Sequence, residues 1–72
     1  MRNILTAREN EICQHLIKGK SNKQIAFDLG ISIATLKKHL NNAFHATNTY
    51  NRIGLVMYYL KVKGLLKDDK NN

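Results

Sequence analysis

Apolar residues recur at helical spacing in four blocks, separated by short polar breaks that carry glycine, serine or asparagine. In the first block Ile12, Cys13, Leu16 and Ile17 mark one face of an amphipathic helix. Thr6, Ala7, Arg8 and Glu9 have the form of a capping box ahead of it, and Gly19 stands where it must stop, so the spacing predicts a helix ending at Lys18. Ser21 and Gln24 form a second box. It opens a helix at Asn22 whose apolar face is Ile25, Ala26 and Leu29, and Gly30 supplies a left-handed exit. Ser32 offers the next N-cap only two residues later. So short a link forces the two helices to cross, with small Ala26 allowing close approach and Ile31, Leu36 and Leu40 completing the wedge of core between them. That is a helix-turn-helix. Its second helix is predicted over about 33–46, with Asn48 as a left-handed cap, and a fourth helix over about 52–63 ends at Gly64.

At about 100° per residue the second motif helix turns Leu36, Leu40 and Ala43 inward and Ala34, Lys37, Lys38 and Asn41 outward. Two cations, an amide and a methyl are the groups that read base edges in a major groove: lysine on guanine, asparagine on adenine, alanine against the thymine methyl. The plainer reading of Lys37 and Lys38 is a solvated face. Their place on the second helix of a helix-turn-helix favours the groove. Ser21, Asn22 and Lys23 lie at a helix N-terminus, where free amides favour a phosphate, although Ser21 would also cap and Lys23 also solvate there.

Composition strengthens the polyanion reading. Seventy-two residues make one domain, 1–72, near the lower limit for a self-sufficient core; about 4–66 form that core and 67–72 a polar tail. The net charge is +7 and the pI about 9.9. Between Ile12 and Lys67, Asp28 stands alone against nine Lys and Arg, an imbalance unlike the alternating signs of an ordinary solvated helix. Nucleic acid is the first candidate partner, and with the helix-turn-helix this means double-stranded DNA. An anionic membrane surface is the second, but no apolar run of about eighteen residues, signal peptide or lipidation motif accompanies it, so the chain is expected to be cytoplasmic and soluble. The single cysteine, Cys13, reads as a small buried thiol.

The fourth helix is apolar on two sides. Leu55, Val56, Tyr59 and Leu60 form the stripe assigned to the core, while Gly54, Met57, Tyr58 and Lys61 form another side available for pairing with a second copy. Such a homodimer is expected to be weak until DNA holds both copies. Single exposed apolar residues are common, which is the plainer reading of Met57 and Tyr58.

The pieces LTARENEI, GKSNKQIAFDLGIS, TLKKHL, the NR pair at 51 and 52 and the late GLL together resemble the DNA-binding domain of LuxR/FixJ-type, GerE-like bacterial transcription regulators over about residues 4–66. The resemblance implies an all-α, four-helix LuxR/GerE-type helix-turn-helix domain, with the third helix in the major groove and the fourth mediating dimerisation. Carried over by position, it implies base reading at Ala34, Lys37, Lys38 and Asn41, and backbone contact at Asn22, Lys23, Thr35, His39 and Arg52. The chain departs from the family pattern in two places. Thr47, Asn48 and Thr49 stand where the family has a Leu-Gly-Val turn, and Gly64 comes one residue late relative to Arg52.

No enzyme is visible. His15, His39 and His45 have no ligand spacing and no carboxylate cluster or cysteine pair accompanies them, so no metal, cofactor or small molecule is expected. The rival reading is a protein-interaction module, an anti-activator or co-regulator that binds another regulator through its fourth helix; RNA polymerase is a further candidate partner.

Overall fold

The computed structural model describes residues 4–64, which form α1 (Ala7–Leu16), α2 (Asn22–Leu29), α3 (Ile33–Thr47) and α4 (Arg52–Val62). The predicted tuck of Leu65 and Leu66 and the polar tail lie outside the described residues.

Local chemistry sets every helix start. The Thr6 hydroxyl accepts from the Glu9 amide at 3.1 Å, and the Glu9 carboxylate accepts from the Thr6 amide at 3.0 Å. That reciprocal pair lets Glu9 sit only 3% exposed. Ser21 also caps, accepting from the Gln24 amide at 3.1 Å, but the predicted box is half-formed. The Gln24 side chain instead donates its amide N–H to Asp28 at 2.8 Å, a charge-assisted bond that is stronger than the neutral one its oxygen would make by accepting from the Ser21 amide. Ser32 and Asn51 cap α3 and α4 through the amides of Thr35 and Gly54.

The stops differ in one respect from expectation. α1 ends at Leu16 rather than Lys18, because its last turn tightens into bonds such as Gly19 N–H to the Leu16 carbonyl at 2.9 Å. Gly30 and Asn48 both adopt the left-handed conformation foreseen for them, with φ of 67° and 58°. In the departed turn the Thr47 hydroxyl donates to the Ala43 carbonyl at 2.9 Å and pairs with Thr49 at 2.9 Å, so hydroxyls close the loop.

The core is one cluster. Ile12, Cys13 and Leu16 from α1, Ile25 and Ala26 from α2, Leu36, Leu40 and Ala43 from α3, and Leu55 and Tyr59 from α4 are all buried. α1 packs on each of the other helices and α3 does likewise, whereas α2 and α4 do not pack on one another. Val56 and Leu60, assigned to the core stripe, are half-buried, and Ile4 at the entry is exposed while Leu5 packs inward. Burial, together with the charge of Glu9, pushes the Cys13 thiol up to about 11, as befits an inert core thiol.

Candidate nucleic-acid interface

The turn at Gly30 and the cap at Ser32 fix the rotation of α3, which turns Leu36, Leu40 and Ala43 into the core. Ala34, Lys37, Lys38 and Asn41 consequently stand exposed on its outer side, at i, i+3, i+4 and i+7. Thr35 is exposed beside them, its hydroxyl accepting from Ser32 at 3.0 Å, and His39 is half-buried at the edge. Ser21 and Lys23 are exposed at the start of α2, and Asn22 between them is half-buried.

Charge is distributed unevenly over this side. Asp28 accepts from Lys20 at 2.8 Å and from Gln24 at 2.8 Å, and His15 approaches it at 3.8 Å. The bond from Lys20, then that from Gln24, holds the Asp28 carboxyl below the usual carboxylate range. Glu11 pairs with Arg8 at 3.3 Å on α1. Among the described residues, Lys23, Lys37 and Lys38 therefore have no carboxylate partner, and their charge faces solvent unopposed.

Two clefts run along the same side of α3. One, of about 260 Å³, is lined by Asn22, Lys37, Leu40, Asn41, Phe44 and Arg52, and so joins the starts of α2 and α4 to the reading face. The other, of about 320 Å³, continues past Asn41 to His45, Asn48 and Tyr50. His45 and Tyr50 were not among the sequence candidates. Asn41 to His45 to Asn48 continues the same i, i+4, i+7 progression, which is the signal that could have found His45, whereas Tyr50 lies in the loop beyond α3 where helical spacing gives no signal.

Arg52 does not stand with the exposed cations. It is half-buried, and its guanidinium donates to the Asn22 side chain at 2.8 Å and to the carbonyl of Lys20. The suggested pairing face of α4 is likewise rotated from expectation. Ile53, unforeseen, is 74% exposed, Met57 is 47% exposed, and Lys61 follows on the same side. Tyr58 is half-buried and lines a separate cavity with Ile4, Leu5 and Asn10. Gly54 faces its own chain, where an added Cβ would lie 3.4 Å from Thr49 and Asn51. Among the described residues no group of three or more metal-ligating side chains occurs, and no helix is long and apolar enough to cross a membrane.

Four helices around one core, with a capped tight turn between the middle two and an open basic face on the second of them, define a helix-turn-helix domain of the four-helix class. The chain belongs to the family of bacterial regulatory proteins called the luxR family, whose pattern matches residues 3–59. It is 51% identical over 53 residues to the monoamine regulon transcriptional regulator of Klebsiella aerogenes, covering 74% of this chain and 23% of that protein. It is 38% identical over 61 residues to the nitrate/nitrite response regulator protein NarP of Escherichia coli, covering 85% and 28%. With the spore germination protein GerE of Bacillus subtilis it shares 34% identity over 59 residues, covering 82% and 80%. The chain spans about a quarter of the length of the first two relatives. No solved structure matches the chain at a significant level.

Proposed function

We propose that this chain binds duplex DNA in a sequence-specific manner as a bacterial transcription regulator acting in the cytoplasm. In this reading α3 enters the major groove, and Ala34, Lys37, Lys38 and Asn41 meet base edges. Ser21, Asn22, Lys23, Thr35 and His39 meet the phosphates on either side. The observation that carries the reading is the exposed, carboxylate-free face of α3 beside the exposed Ser21 and Lys23 at the start of α2. Membership of a family of bacterial regulatory proteins supports it. An anisotropy titration against genomic DNA fragments at several salt concentrations tests it, and the expected outcome is binding that weakens steeply with salt.

Two copies are proposed to pair through α4, with Met57 and Lys61 joined by Ile53 and with Gly54 and Tyr58 at the margin. The apolar residues exposed on that helix support this. The same face supports a second reading, in which α4 docks on another regulator or on RNA polymerase. An adaptor of that kind has no need of Lys37, Lys38 and Asn41 in an open array, so DNA binding is the reading preferred.

A further inference from the structure

The two hydrogen bonds of Arg52 span helices that share no packing of their own: Arg52 opens α4, while Asn22 opens α2 thirty residues earlier. A guanidinium can only donate, so the Asn22 atom facing it at 2.8 Å has to be the carbonyl oxygen Oδ1. The orientation of the amide is thereby fixed, and Nδ2, with two hydrogens to give, points away from Arg52. Among the described residues nothing accepts from it. Asn22 and Arg52 line the same cleft as Lys37 and Asn41. The residue that carries the unmatched donor therefore lines the same opening as the reading face.

We propose that Arg52 is a positioning residue for DNA: it locks the Asn22 amide by its oxygen so that Nδ2 is presented to a backbone phosphate at the edge of the groove. The proposal rests on the DNA-binding reading above. It assigns Arg52 a different part from the direct backbone contact that the family resemblance implies. The second bond, to the Lys20 carbonyl, holds the turn between α1 and α2 against the first turn of α4. A neutral amide donor delivered in this way adds a directional bond to the phosphate without adding a cation.

The distinction is measurable. Binding of the 72-residue chain to a fluorescein-labelled duplex of mixed sequence is followed by anisotropy at several salt concentrations, since phosphate contacts do not depend on sequence. Asn22→Ala and Arg52→Ala are each expected to weaken binding about tenfold, the worth of one hydrogen bond to a charged group. The double variant should also lose about tenfold, because both changes remove one interaction. The salt slope of Arg52→Ala should equal that of the unaltered chain. A slope shallower by about 0.9 would mean that Arg52 itself neutralises a phosphate, and a loss of about a hundredfold in the double variant would mean that the two residues act independently; either overturns the proposal. If Arg52→Ala fails to fold by circular dichroism, Asn22→Asp decides, since it keeps an acceptor for Arg52 but removes the donor. It should melt no lower than the unaltered chain yet bind at least about tenfold more weakly, and undiminished binding overturns the proposal. Absence of salt-dependent binding by the unaltered chain would overturn the DNA reading and this one together, whereas additive losses overturn this one alone.

Discussion

The outer faces of α3 and α4 are both surplus to the core, and they differ in chemistry. α3 shows Ala34, Lys37, Lys38 and Asn41, with no carboxylate set against its cations among the described residues. α4 shows Ile53 and Met57, with Lys61 at the edge. A face of unopposed cations gains most from a polyanion and loses that gain as salt screens it. An apolar face gains from being covered, nearly independently of salt. The two helices are thus fitted to different classes of partner, and conditions that weaken one contact should spare the other.

Salt is the largest lever on this contrast. If about four to six phosphates are met by each domain, log K should fall by roughly 0.9 per contact for each unit of log salt, or about two to three decades between 50 and 200 mM. Self-association through α4 should barely move over that range in sedimentation experiments. DNA affinity that stays flat would break the comparison at its first limb.

Single substitutions then separate reading from positioning on the α3 side. Lys37→Ala, Lys38→Ala and Asn41→Ala should each lower specific affinity by about 1–3 kcal/mol per lost base contact, with a smaller effect on mixed-sequence duplex. Lys23→Ala should weaken both alike and make the salt slope shallower by about 0.9. If all four variants reduced only non-specific binding, and by the same factor, α3 would not be the reading helix.

On the α4 side the effect is on cooperativity. Met57→Glu should leave the helical fold and single-site affinity nearly unchanged while abolishing cooperative binding to a duplex with two half-sites about one helical turn apart. Tyr58→Glu should behave differently, lowering Tm, because Tyr58 is half-buried and lines a cavity shared with Ile4 and Leu5. Cooperativity that survives Met57→Glu and Ile53→Glu would move any pairing off this helix.

This rotation of α4 also marks how far the sequence could be read. Where local chemistry decides, the sequence was sufficient: Thr6, Ser21 and Ser32 cap the first three helices, and Gly30 and Asn48 leave α2 and α3 left-handed, although the Asn51 cap of α4 was not foreseen. On α3, apolar and polar sides are cleanly divided, so the exposure of Lys37, Lys38 and Asn41 was legible too. α4 is apolar nearly all round. Periodicity alone could not say which face α1 and α3 would cover, and Tyr58 and Leu60 were misjudged while Ile53 was overlooked. The inward turn of Arg52 depends on residues thirty positions away, and no local pattern reports that. Gln24 shows the same limit at short range, since a box residue was drawn off by Asp28 one turn ahead.

The smallest expected effect distinguishes the paired cation near the interface from the free ones. Lys20 is held by Asp28 at 2.8 Å, whereas Lys23, Lys37 and Lys38 have no such partner among the described residues. In an unfolded chain an aspartate titrates near about 3.9, and the bonds from Lys20 and Gln24 hold Asp28 lower in the fold. Folding therefore favours the carboxylate form. The contribution is complete above the unfolded value and is lost as pH falls through the depressed folded value. Asp28→Asn removes this titration, so its Tm should lie slightly below that of the unaltered chain at neutral pH and converge with it in acid, below about pH 4. The pair is exposed to solvent and the difference should be modest and shrink with added salt. Thermal melts of the two chains across that range measure it. Parallel curves would show that Asp28 contributes nothing through its charge, and Lys20 would then count with the cations free to meet DNA.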